Sequence, residues 1–408
     1  MSTQMKRWVV ILIILSLALF FGAAYAGSEE EAEQPPIDAP KDASAVMETL
    51  TRQAEKLLDS YDLAVWQRAA DSLLREAGAM SVRDTILSFL KGEKVLDGRN
   101  IFERVLQLIV QSLRASGGLM VSLIIPALLA GIFTRMRASF ENDMVATVAN
   151  YVAYLLVAIA AIKYFFKELA AARQAVETMA SGMQALFPLL LTLLAAVGGT
   201  GASAFFQPAI VAASGTMTAL VRNVTLSFAI ATALVTALAH ITPHFSLTKL
   251  RALLKSVANW SLGICFTVFI GVMAVQGFGA AALDGVTLRT AKYAIDNFVP
   301  IVGGMFSDTM DTLIACSLLV KNALGATGLV LLAGACIIPM IRILTVSIMF
   351  RFCSALLEPV ADEGVVSLLS DFAGVLTMLF TVLLSVAAMF FLLVAQLLLV
   401  GNLTVMLR

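Results

Sequence analysis

The polar residues best placed for chemistry lie between Asp284 and Asn322, inside an otherwise apolar half of the chain. Asp296-Asn297 lead into Phe298-Val299-Pro300-Ile301-Val302-Gly303-Gly304, Asp308 and Asp311 follow at i, i+3, and Lys321-Asn322 close the stretch. Ionised groups at bilayer depth are costly, so they normally face a water-filled path or a partner. Pro300, Gly303 and Gly304 are expected to break the helix ahead of a short acidic amphipathic one, which suits a re-entrant element lining a pore. On that reading Asp296, Asn297, Asp308, Asp311 and Lys321 are pore or gate contacts. On a surface helix at the outer leaflet the same aspartates would simply meet water.

Other chemistry finds little support. His240 and His244 are spaced i, i+4, but Pro243 lies between them and no carboxylate or cysteine nearby offers a third ligand, so no metal site is expected. The chain has no G-x-x-x-x-G-K-[ST] phosphate loop, no H-E-x-x-H and no G-x-S-x-G elbow, and Gly303 to Asp308 does not match the G-x-G-D of intramembrane aspartyl proteases. The expectation is a protein that is not an enzyme and has no cofactor; any work it takes part in is powered by a partner. Cys265, Cys316, Cys336 and Cys353 are scattered through apolar sequence and read as small buried hydrophobes without disulfides. Twenty-eight basic and 28 acidic residues cancel, with no basic patch to invite nucleic acid.

The elements that must position the polar cluster are membrane helices. Hydrophobic residues make up 60% of the chain, charged ones 14%, and the mean hydropathy is +0.90, far from a soluble domain with roughly a quarter charged. The fold class expected is all-α and polytopic. Spans are expected at 118–134, 144–162, 183–199, 204–221, 224–242, 257–282, 323–349 and 372–400, about eight within a transmembrane domain of 116–408. Pro126, Pro188, Pro208 and Pro339 and the turn Gly198 to Gly201 suggest bent or broken helices.

Ahead of the spans, Lys6 and Arg7 precede the apolar run Trp8 to Phe21, and Ala24-Tyr25-Ala26 forms an A-x-A site, so 1–26 reads as a signal peptide cleaved after Ala26. Residues 27–42, rich in Glu, Asp and Pro, read as a disordered acidic linker. Residues 43–115 carry apolar residues at three- and four-residue spacing and read as an extracytoplasmic amphipathic helical region. With the mature N-terminus outside, Arg135, Arg137, Lys249, Arg251 and Lys255 fall on the cytoplasmic side, as the positive-inside rule asks. Arg342 and Arg351 follow them if 298–320 does not cross, which is the favoured arrangement, and the C-terminus is then outside. If 298–320 crosses, both arginines are outside.

The run Tyr293 to Gly304, continuing through Ser307-Asp308 and Asp311-Thr312 to Cys316-Ser317-Leu318-Leu319-Val320-Lys321-Asn322, resembles the most recognisable stretch of the stage III sporulation protein AE family. The ending Gly401-Asn402-Leu403-Thr404-Val405-Met406-Leu407-Arg408 also resembles that family's end. The resemblance implies a membrane component of a sporulation-specific secretion or feeding channel complex linking mother cell and forespore, needed for late forespore development. It implies a multi-pass place in the mother-cell membrane around the forespore. The implied partners are other stage III sporulation complex proteins, including a secretion-type ATPase, and a forespore-membrane protein across the intermembrane space, with the chain itself in an oligomer. It carries over no catalytic residue. A solute permease and a purely structural platform for the complex are the alternatives.

Overall fold

A computed structural model describes residues 41–59, 63–73, 81–93, 98–136, 143–197, 199–239, 247–298 and 302–406. Ala24, Ala26, the acidic linker up to residue 40, His240, His244 and Pro300 lie outside the described residues. So do the side chains of 277–311.

The described chain is helical, with no strand: α1 (Lys41–Asp59), α2 (Ala64–Leu73), α3 (Val82–Leu90), α4 (Gly98–Ala115), α5 (Gly117–Met136), α6 (Asp143–Ala196), α7 (Thr200–Leu220), α8 (Leu226–Leu238), α9 (Thr248–Phe298), α10 (Val302–Leu357) and α11 (Glu363–Met406). Residues 1–53 and 54–408 form two separate compact units. What is described of the first is the leading part of α1, where Arg52 pairs with Glu48 one helical turn away at 2.6 Å. In the second, Ser81 caps α3 by accepting from the Asp84 N–H, which fills one of the donors a helix start leaves open. The Gln67 side chain ties α2 to α3 by accepting from the Val82 N–H at 3.0 Å.

The membrane part is built from rods longer than a bilayer is thick. Helices α6, α9, α10 and α11 run for 54, 51, 56 and 44 residues, roughly 65 to 85 Å at 1.5 Å per residue, against a hydrocarbon core of about 30 Å. Among the described residues six helical stretches are long and apolar enough to cross: Glu103–Leu129, Tyr154–Ala196, Gly215–Leu238, Thr248–Gln276, Thr312–Leu357 and Glu363–Asn402.

This count differs from the eight spans expected because pairs of them share a helix. The segments 144–162 and 183–199 fall largely on α6, whose charged middle from Lys163 to Glu177 keeps its backbone helical. The segments 204–221 and 224–242 run together through a single π turn, Val221–Thr225, which joins α7 to α8 without a break. Residues 302–320 continue straight into 323–349 on α10, with no chain reversal between them of the kind a re-entrant element needs. Pro126, Pro188, Pro208 and Pro339 all sit inside continuous helices, whereas the glycine turn does separate α6 from α7.

Contacts fix how the rods lie. Lys321 meets Leu398, Ser347 meets Ala373 and Ser354 meets Val366, so α10 and α11 run antiparallel. Glu168 meets Arg342, Met179 meets Cys336 and Leu186 lies against Gly328, so α6 is antiparallel to α10 as well. Arg251 meets Asp371, Lys255 meets Gly374 and Met273 meets Gln396, so α9 runs parallel to α11. Helix α5 starts with Gly118 beside the Tyr164 hydroxyl and reaches the α10–α11 turn, where Gly131 lies against the Val360 carbonyl.

Candidate functional site: two polar layers across the helical rods

Lys321 is the sequence candidate whose side chain the structure describes, and it is fully buried. Its ammonium donates to the Leu398 carbonyl at 3.0 Å. The setting is reciprocal. Leu398 of α11 seats over Gly325 of α10, while Lys321 of α10 seats over Gly401 of α11. Each helix thus gives one knob and one glycine notch, since a Cβ at Gly325 would collide with Leu398 and one at Gly401 with Lys321. Beside this junction the Oδ1 atoms of Asn322 and Asn402 are buried with no hydrogen-bond partner, which costs about 1–3 kcal/mol for each such group. A cation and two unpaired amide oxygens at one helix crossing make a concentrated polar layer.

About 20 uncharged residues, Asn322 to Ile341, separate Lys321 from the next charge on α10, roughly 30 Å of helix and so one bilayer core. That next charge, Arg342, belongs to the second layer. Its Nε lies 3.4 Å from Oε1 of Glu168, a carboxylate only 2% exposed whose other oxygen has no partner. About 14 Å farther along α6, Arg222 in the π turn meets Glu177 at 3.2 Å. Arg251 of α9 pairs with Asp371 of α11, Lys255 donates to the Gly374 carbonyl and Arg351 donates to the Thr377 hydroxyl. Apart from the Arg222 pair, these contacts form a charged belt running through α6, α9, α10 and α11.

The remaining candidates are placed by their backbone. Asp296 and Asn297 lie in the last turn of α9, and Asp308 and Asp311 early in α10; their side chains fall outside the described residues, as does all of Pro300. Gly303 and Gly304, expected as helix breakers, sit in the first turn of α10, a few residues past the end of α9. All four cysteines are buried and none forms a disulfide. Sequence reasoning used Arg342 and Arg351 only to orient the chain and missed Glu168 altogether. The signal was present: Glu168 follows Lys167 in a stretch with apolar residues on both sides, where an acid needs a partner.

The model of the family described as Stage III sporulation protein AE matches residues 80–401, a range that takes in both polar layers. The Stage III sporulation protein AE of Bacillus subtilis (strain 168) is 30% identical over 413 residues, covering 99% of this chain and 100% of that relative. No solved structure matches. A helical, multi-pass chain matched along nearly its whole length in this way belongs to the stage III sporulation protein AE family, and its role is in sporulation.

Proposed function

We propose that the chain is a membrane component of the secretion or feeding channel complex that links mother cell and forespore, required for late forespore development. It lies in the mother-cell membrane around the forespore, with 1–26 removed as a signal peptide, 27–42 as a flexible tether and 43–115 facing the intermembrane space. A secretion-type ATPase of the same complex supplies energy and a forespore-membrane protein meets it from the other side. The chain itself does no covalent chemistry and uses no cofactor.

The observation that supports conduction is the Lys321 layer. A buried cation held by one carbonyl, next to two unpaired amide oxygens, is an expensive arrangement at a helix crossing, and Asp308 and Asp311 precede it on the same helix. Another observation favours the platform reading. The cavity between α7, α9 and α11 is a narrow slit, lined by Met217, Phe269, Met389 and Phe390 among others, too small for a cargo to pass. A path wide enough for cargo would therefore lie between copies of the chain, or between it and its partners, which accords with an oligomer.

The test is labelling of single cysteines at 296, 308 and 311 in sporulating cells, in a chain lacking the native four, with impermeant and permeant reagents. Labelling that changes when partner genes are deleted supports an assembled aqueous path. Equal, partner-independent labelling from outside moves the reading to a platform.

A further inference from the structure

One face of α6 changes character along its length. In the leading part of the helix its exposed residues include Val148, Val152, Leu155 and Ile159. Farther along the same line of i+3 and i+4 positions they are Lys167, Gln174, Glu177, Ser181, Gln184 and Thr192, with an alanine and a proline in the two remaining places. No large apolar side chain is exposed on α6 from 167 to 192, a stripe of roughly 38 Å. The π turn adds to it. Arg222 meets Glu177 at 3.2 Å with the two side chains 48% and 53% exposed, and Asn223 beside Arg222 is exposed as well.

The stripe runs level with the most apolar parts of the neighbouring rods. Met179 and Leu186 of α6 lie against Cys336 and Gly328, inside the uncharged run Asn322 to Ile341 of α10, and α11 carries no ionisable residue between Asp371 and Arg408. On the other side of the π turn, the Thr225 hydroxyl lies 3.0 Å from that of Ser261 and Met217 meets Cys265. These contacts bring the turn level with Trp260, Ile264 and Val268 of α9, large apolar residues that are 51% to 56% exposed. Side chains of that kind suit lipid. A half-exposed ion pair flanked by carboxamides and hydroxyls does not, because ionised groups at bilayer depth face a water-filled path or a partner. At one depth, then, the bundle has a side built for lipid along α9 and a side built for water along α6.

We infer that the α6 stripe, with Arg222 and Asn223 of the π turn, is the wall of a water-filled path that carries hydrophilic solutes through the bilayer. The inference rests on the conduction reading and deepens it. The slit inside the chain is too small for cargo, so the path runs along the outside of the bundle, and the stripe is the side that borders it. Nothing in the chain covers Gln174, Ser181 or Gln184, so the opposite wall comes from another chain.

The test is the reaction of single cysteines with a charged methanethiosulfonate, which attacks thiols ionised in water, supplied to both faces of membranes from sporulating cells. Gln174→Cys, Ser181→Cys and Gln184→Cys, each in the full chain lacking the native four, are expected to react at least ten-fold faster than Ile264→Cys and Val268→Cys on α9. Stripe positions as slow as the α9 positions would mean that lipid or dry protein covers the stripe. Positions on α9 as fast as the stripe would put this depth in water outside the bilayer. Either result overturns the inference. A slow stripe together with partner-dependent labelling at 308 and 311 would leave the conduction reading standing with its path along a different face, so the two fail separately.

Discussion

At Lys321 and Glu168 the chain spends free energy, and the two sites respond differently to substitution. Lys321 is buried with one carbonyl acceptor and no acidic partner among the described residues, so its charge is nearly uncompensated. Replacing a buried ion by an apolar side chain of like volume is often stabilising by about 1–4 kcal/mol. Lys321→Met is therefore expected to raise the thermal unfolding midpoint of the detergent-solubilised chain, while Lys321→Ala, which opens a hole above Gly401, lowers it. A lower midpoint for both would mean that the ammonium bond to Leu398 outweighs desolvation. Glu168 has a partner, so the prediction has the opposite sign. Arg342→Met leaves a buried carboxylate alone and should cost about 2–3 kcal/mol, discounted because Arg342 itself is a third exposed. The double variant Glu168→Met with Arg342→Met should recover most of that loss, and a double variant as unstable as the single one would show that packing, not charge, sets the cost.

Among the elements, glycines separate close crossings from open helix faces. Gly131 lies against the backbone carbonyl of Val360, at the α10–α11 turn. A backbone atom cannot rotate aside, so Gly131→Ala is expected to destabilise by about 1–3 kcal/mol. Gly215 in α7 has nothing near the position of a Cβ, so Gly215→Ala should stabilise by up to about 1 kcal/mol through helix propensity alone. Unfolding of the two variants side by side checks both signs. Helix existence was legible in the sequence because long apolar runs admit little else in a bilayer. Helix ends were not. Charges at 163–177 look like a loop, yet Glu168 and Glu177 find Arg342 and Arg222 on neighbouring rods, and those partners are far away in sequence. Where the prolines suggest bent or broken helices, the rods are unbroken, because within a bundle neighbouring helices support a proline without ending the helix.

For the whole molecule, orientation follows from the belt. With it on the cytoplasmic side, a cysteine in place of Glu358, in the α10–α11 turn, should react with a permeant maleimide and not with an impermeant one in intact cells. A cysteine replacing Glu48 should react with both. The reverse pattern would invert the chain. Family membership is legible in the amino-acid sequence because it rests on local runs such as Tyr293 to Gly304. The pairing of charges between rods is not, since it depends on how far one rod is shifted along another.

The π turn at Val221–Thr225 has a further consequence. A π turn holds one residue more than the α-helical turn it replaces, so it acts as a one-residue insertion absorbed without a loop. Every residue after it is rotated by roughly 100° relative to an uninterrupted helix. The upper half of this rod, where Met217 touches Cys265, and the lower half, where Ala237 accepts from Tyr154, are thereby keyed to different neighbours. Deleting Asn223 would remove the extra residue and leave Ala237 facing Tyr154, whereas straightening the turn with every residue kept would swing Ala237 away from its partner, so that here a more regular secondary structure of the same sequence would make a worse protein.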